Sequence, residues 1–321
     1  MASSIIEEIG GHAVELSNRE KVFFPDAGIT KGDVVDYYRR IAPILLPHLA
    51  DRPLTLQRFP DGISARGFYQ RDRPAHFPPW IESVRLEKVE GGTVDCVVCG
   101  DEATLAYLAD QGALTLHAWL SRRDRPGEPD RMIFDLDPPG GHEDPVDPEA
   151  FGLVVEGARA IRDLLAGLGL EPHVMTTGSR GVHVTVPLER GPSFAETRAF
   201  ARDAADLVAR RRPRRFTIEQ RKAGRRDRLY LDCMRNAYGQ TGVAPYAVRA
   251  RPGAPIATPL DWDELGGPRP GPRTYTIRNI FRRLGQRPDP WRGIAGRARP
   301  LGPARGRLDE LRRSEIGEEE A

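Results

Sequence analysis

The sequence predicts a mixed α/β fold of the α+β kind, a sheet flanked by helices, on three observations. Apolar residues recur at helical spacing over long stretches such as 31–49 and 194–211. Short alternating or continuous apolar runs, such as 54–59, 114–119 and 182–186, read as strands. Gly, Pro, Asn and Asp fall at the junctions, where turns belong. With 321 residues the chain can bury a full core, as one large domain or two of ordinary size.

From the N-terminus, residues 12–24 alternate weakly and end at Phe23-Phe24-Pro25, before the turn at Asp26-Ala27-Gly28. Thr30 is a good N-cap, with Asp33 at the third position after it, so a helix should run from Lys31 to Leu49. Pro43 inside it should kink or break it. Leu54–Phe59 and Gly67–Arg71 are strands on either side of Pro60-Asp61-Gly62, and two more strand patterns surround Gly91-Gly92. Asp101 caps a helix from Glu102 to Gln111, and Leu114–Trp119 is a strand with His117 near its end. Arg122–Pro129 reads as a polar loop. A helix from about Pro148 to Leu168 closes at Gly169. Strands follow at Glu171–Thr176 and Val182–Val186, then an amphipathic helix at Phe194–Arg211 and a strand at Leu229–Asp232. Tyr275–Leu284 reads as a helix. Residues 291–321, polar and poor in aliphatics, read as a flexible tail.

The formal net charge of +2 implies no partner by itself. Its distribution says more: residues 210–228 are dense in Arg, against only Glu219 and Asp227. Lysine is rare, limited to Lys21, Lys31, Lys88 and Lys222. No run is long and apolar enough for a membrane span and no signal peptide is visible, so a soluble cytoplasmic, nucleoid-associated protein with no membrane partner is expected. Cys96, Cys99 and Cys233 are few and odd in number, as in a reducing compartment. Cys96-Val97-Val98-Cys99 lacks the two further ligands a zinc site needs.

Chemistry concentrates first in Arg131–Pro139. Met132-Ile133-Phe134 is a short buried strand, and Asp135 and Asp137, two apart, share one of its faces while Leu136 faces the core. Pro138 and Pro139 stop the ladder. Two carboxylates side by side repel unless a cation sits between them, and paired oxygen ligands suit Mg2+ or Mn2+. Read alone, the same residues are also ordinary turn chemistry. Thr177-Gly178-Ser179-Arg180-Gly181 gathers backbone amides, two hydroxyls and a guanidinium in one turn, good equipment for a triphosphate although no Walker loop. His183 shares a face with Thr185 and can donate to a phosphate oxygen. Arg58, Phe68, Tyr69 and Arg71 mix base-stacking rings with phosphate-binding cations, a pattern suited to DNA, though a half-buried strand explains it as simply. Lys31 stands in the first turn of a helix, whose positive end favours an anion, and Lys21 precedes it, a pair suited to a terminal phosphate.

Taken in order, Asp135-Leu136-Asp137-Pro138, Thr177–His183, Leu231-Asp232 with Arg235-Asn236, and Ala244–Arg249 resemble the polymerase module of bacterial ligase D, of the archaeo-eukaryotic primase superfamily. The resemblance covers about Ser17 to Leu265. It implies a primase-polymerase fold with a central RRM-like sheet, a DNA-binding part over about 1–130 and a catalytic part over about 131–290. It implies a template-dependent nucleotidyl transferase, favouring ribonucleotides, that extends primer 3′ ends at gaps or breaks in end joining or short-gap repair. Its acidic residues fall on Asp135, Asp137 and Asp232, which would hold two Mg2+ or Mn2+ ions. Its nucleotide contacts fall on His117, His183 and Arg249, joined here by residues 177–181 and Arg225. Lys21 and Lys31 would contact the 5′-phosphate across a gap. Where the family commonly shows Ser-Gly-Ser-Lys-Gly-Leu-His, this chain has Thr177 and Arg180. No KxDG ligase motif is present, so a standalone form is expected, with nucleoside triphosphates and gapped DNA as substrates and Ku and a separate DNA ligase as partners. Primer synthesis without a primer, and a catalytically silent DNA-end scaffold, are the competing readings.

Overall fold

Local sequence signals place most elements of the computed structural model, which describes residues 4–140, 146–267 and 271–319. Those that carry the fold are, in chain order, α1 (Lys31–Leu49), β1 (Leu54–Arg58), β2 (Phe68–Gln70), α2 (Glu102–Asp110), β3 (Ala113–Trp119), β4 (Arg131–Leu136), α3 (Pro148–Gly167), β5 (His173–Thr176), β6 (Val182–Pro187), α4 (Phe194–Arg211), β7 (Thr241–Val243), β8 (Thr258–Leu260) and α5 (Leu301–Glu319). They fall into two compact units, one of Met1–Pro126, Thr241–Thr258 and Arg273–Asp289, the other of Gly127–Gln240, Pro259–Pro272 and Pro290–Ala321. The chain first crosses between the units after Pro126. The two returns to the first unit depend on tertiary pairing, which no local signal carries.

In the first unit, the Thr30 side chain caps α1 and Asp33 completes the capping box. The helix runs on through Pro43 and Pro47 without the expected break. A four-stranded sheet has the order β7-β3-β1-β2. Leu54 and Leu56 of β1 and Leu114, Leu116 and Ala118 of β3 bury one face. The register pairs Thr55 with His117 and Gln57 with both Thr115 and Tyr69, so these polar residues share the opposite face. The expected loop at Arg122–Pro129 forms a short hairpin, and the late helix begins only at Ile280, after Asn279 Oδ1 accepts the Thr276 N–H.

In the second unit the sheet order is β4-β6-β5-β8. Met132, Phe134 and Leu136 of β4 stand opposite Val186, Val184 and Val182 of antiparallel β6. All six are fully buried, on the sheet that α3 and α4 pack against. Gly169, at φ +83°, ends α3 in the left-handed conformation. Residues 301–319 of the expected tail form helix α5. Leu301, Ala304 and Leu308 of α5 are buried, and Arg305 and Arg312 reach Asp203 of α4 at 2.6 and 3.1 Å. So narrow an apolar stripe on an Arg- and Glu-rich helix reads as solvated chain. Among the described residues no helix is long and apolar enough to cross a membrane.

Candidate active site

Asp135 sits on the face of β4 opposite the helices, paired across the ladder with His183 of β6. The free edge of β4 is covered by the turn Asp232–Asn236. The Asp135 N–H donates to the Asp232 carbonyl at 2.8 Å. Two residues back, the buried Asn236 carboxamide takes the place of a strand: its Oδ1 accepts the Ile133 N–H at 2.8 Å and its Nδ2 donates to the Ile133 carbonyl at 2.7 Å. Asp232 is thus placed beside Asp135, with its Oδ1 accepting the Met234 N–H at 2.7 Å. Arg235, three residues on, donates through Nε to Asp135 Oδ2 at 2.5 Å.

The charges are uneven. Burial raises the pKa of Asp135, but His183, with Nε2 at 3.3 Å from Oδ1, and Arg235 outweigh it and hold the group well below the usual carboxylate range. Asp137 is exposed as a residue, yet its Oδ1 lies against the turn. Lost hydration, then the charge of Asp135, push it up to about 6. Asp232 is raised too, by burial first and then by Asp135, against the Met234 N–H. Two carboxyls raised partly by the charge of a third fit a divalent cation, and oxygen donors suit Mg2+ or Mn2+. Among the described residues, no three His, Cys, Asp or Glu side chains are arranged to hold one ion as they stand.

The turn Thr177–Gly181 reaches the end of β4. A side chain at Gly181 would collide with the Leu136 carbonyl and crowd Asp137 Oδ1, so only glycine fits. Gly178 takes φ +64°. The Thr177 hydroxyl is turned inward: it donates to the Gly181 carbonyl at 3.1 Å and accepts the Ser179 and Gly181 N–H groups at 3.3 Å. Thr177 therefore shapes the turn. Arg180 reaches the Pro138 carbonyl at 3.4 Å and its buried Nε has no partner among the described residues. His183 meets Asp135 where a phosphate was expected, and leaves its buried Nδ1 without a partner among the described residues. Arg225 stacks on Tyr230 at 4.0 Å, and its charge reaches Asp232.

The remaining expected residues lie in the first unit. The ring of exposed Tyr69 meets His117 edge-on at 5.7 Å, and Phe68 is also exposed. Arg58 lies over Phe68 but donates to the Gln111 carbonyl and to Gln70, so it braces the strand, while Arg71 is exposed. Arg249 follows a segment pinned by two tyrosines, Tyr37 donating to the Tyr246 carbonyl at 2.7 Å and Tyr38 accepting the Val248 N–H at 3.0 Å. Lys21 is exposed enough to meet an anion and pairs with Asp61. Lys31 is buried, its ammonium 2.7 Å from Asp110 and 2.9 Å from Ser17 Oγ. Cys96, Cys99 and Cys233 are free and buried, with thiol pKa values raised by burial.

The fold is of the primase-polymerase type. Residues 30–291 match the family described as LigD, primase-polymerase domain, and the chain belongs to that family. It is 34% identical over 264 residues to the multifunctional non-homologous end joining DNA repair protein LigD of Mycobacterium tuberculosis, covering 79% of this chain and 34% of that protein. It is 28% identical over 274 residues to the bifunctional non-homologous end joining protein LigD of Bacillus subtilis, covering 84% of this chain and 42% of that one. The chain thus spans a third to two fifths of these relatives' length. Among solved structures, the polymerase domain of Mycobacterium tuberculosis ligase D in complex with DNA matches with a TM-score of 0.80 and 29% identity, over 88% of this chain and 98% of that one.

Proposed function

We propose that the protein is a template-dependent polymerase that adds nucleotides, ribonucleotides by preference, to primer 3′ ends at gaps or breaks during end joining or short-gap repair. One observation carries the reading: Asp232 is bridged to Asp135 at the edge of β4, with Asp137 raised beside them, in a chain of this family. Asp135, Asp137 and Asp232 would hold two Mg2+ or Mn2+ ions, which when bound supply activation of the 3′-hydroxyl and neutralisation of the triphosphate. Arg235 and His183 hold the Asp135 carboxylate in place. Ser179 and Arg180, with Arg225, are assigned to the incoming nucleotide, and His117 and Arg249 keep the nucleotide role that the family resemblance gives them. The exposed rings of Phe68 and Tyr69, with Arg71, are assigned to stacking and backbone contacts on DNA.

Lys21 is assigned to the 5′-phosphate across the gap. Lys21→Ala should weaken binding of gapped DNA with a 5′-phosphate and spare the 5′-hydroxyl form. Ku and a separate ligase, in the cytoplasm, remain the proposed partners. The similar polymerase domain from Mycobacterium tuberculosis was solved in complex with DNA, which supports the substrate class. The test is extension of a primer at a one-nucleotide gap with Mn2+ and ribonucleoside triphosphates. Template-matched incorporation is expected, and no incorporation with any triphosphate overturns the reading.

A further inference from the structure

Helix α4 and the loop after it carry arginines of two kinds. Arg210 pairs with Asp206 at 2.9 Å, Arg211 with Glu315 at 2.6 Å, and Arg212 and Arg215 share Glu156 at 3.0 and 2.5 Å. Towards the helix start the pattern changes. Arg198, Arg202 and Arg221 have no carboxylate within ion-pair distance among the described residues. Arg198 spends an Nη2 donor on the Met234 sulfur at 3.0 Å, a weak acceptor for a guanidinium. Arg202 and Arg221 are exposed and line an open cleft of about 550 Å³. The one acid of that cleft, Glu219, accepts the Arg221 N–H at 2.8 Å, and its single negative charge stands against three arginines, Arg202, Arg221 and Arg228.

This unneutralised cluster abuts the acidic set. Met234, which Arg198 touches, is the residue whose N–H holds the Asp232 carboxylate. Like charges gathered without partners cost stability unless an anion meets them. Arg198 and Arg202 are one helical turn apart, a rise of about 6 Å. Arg202 shares a cleft with Arg221 and stands a turn from Arg198, so the three are spread over at least one helical turn, a spread that suits successive phosphates of a chain.

We propose that Arg198, Arg202 and Arg221 form a track for the phosphate backbone of a nucleic-acid strand where it passes the Asp232 turn. The proposal rests on the polymerase reading above. The test measures binding of the full chain to gapped duplex DNA over a series of salt concentrations. Each lost phosphate contact should lower the slope of log affinity against log salt by about 0.7–0.9. The triple variant R198Q/R202Q/R221Q should therefore lose about 2–3 from the slope and bind about 10- to 100-fold more weakly at low salt. The triple Lys variant should keep the slope, since the slope counts charges.

The control R211Q/R212Q removes arginines already neutralised and should leave the slope alone. A wild-type slope in the folded Gln variant, checked by thermal melting, overturns the track, as does an equal loss in the control. Primer extension on the same proteins separates the two claims. If only the track is wrong, wild type extends primers and the slopes do not differ. If the polymerase reading is wrong, wild type extends nothing.

Discussion

Asp110 and Asp135 are both buried aspartates held by a cation, one in each unit, yet their surroundings differ in balance. Asp110 receives the Lys31 ammonium at 2.7 Å and the Ser17 N–H at 2.8 Å, with the Ser17 hydroxyl at 3.3 Å. One negative charge meets one positive charge, and the carboxylate has donors to spare. Asp135 also has its cation, Arg235, and an imidazole, but its charge raises both Asp137 and Asp232. Burial and an ion pair are therefore not what marks a functional site. The mark is an excess of like charge that the protein leaves for something else to balance.

That contrast can be broken in several ways. The largest expected effect is on chemistry: Asp137→Ala should lower nucleotide incorporation on the order of a thousandfold or more, since several kcal/mol of charge stabilisation go with the metal. Gel-shift affinity for gapped duplex should stay nearly unchanged. Asp110→Ala should do the reverse. It strands Lys31 without its partner, a loss of about 3–5 kcal/mol in stability by denaturant melts. The incorporation rate per folded molecule should hold. Arg180→Ala and His183→Ala should each reduce kcat/KM for the nucleotide about 10- to 100-fold, the usual cost of one charge-assisted contact. Unchanged nucleotide kinetics in both would remove the turn from the site.

The smallest effect is the most diagnostic. The Asp137 pKa, up at about 6, lies above its ordinary value near 4, so the folded state binds more protons than the unfolded chain between these limits. Stability is then lost as pH rises from about 4 to 6. Asp137→Asn removes that loss. At pH 7 it should raise Tm by about 1–2 °C, a small figure because the residue is exposed, and at pH 4 the gain should vanish. A lower Tm at pH 7 would place Asp137 with Asp110 as a structural acid.

Much of this was legible from local signals. The Thr30 and Asp101 caps, the Gly169 stop and the Pro138-Pro139 terminator act within a few residues, and the elements they bound lie where the sequence puts them. Strand alternation gave Asp135 and Asp137 a shared face and the glycines gave the Thr177–Gly181 turn, while their meeting follows from the register of β4 with β6. What local reading missed is long-range. Arg235 lies 100 residues from the carboxylate it holds, and its only signal was its place three residues after Asp232. Asn236 acts as a surrogate strand, a role no propensity encodes. Lys31 sits at a helix start that invites an anion, and the anion turned out to be Asp110 from another helix.

Metal binding tests the acidic set most directly, read as the loss of the free Mn2+ resonance signal on adding protein. Wild type and Asp110→Asn should bind Mn2+ alike at neutral pH, while Asp137→Asn and Asp232→Asn should each bind at least about tenfold more weakly, the loss of one charged ligand. Mn2+ binding by Asp137→Asn and Asp232→Asn as tight as that of wild type would contradict the assignment of the acidic set.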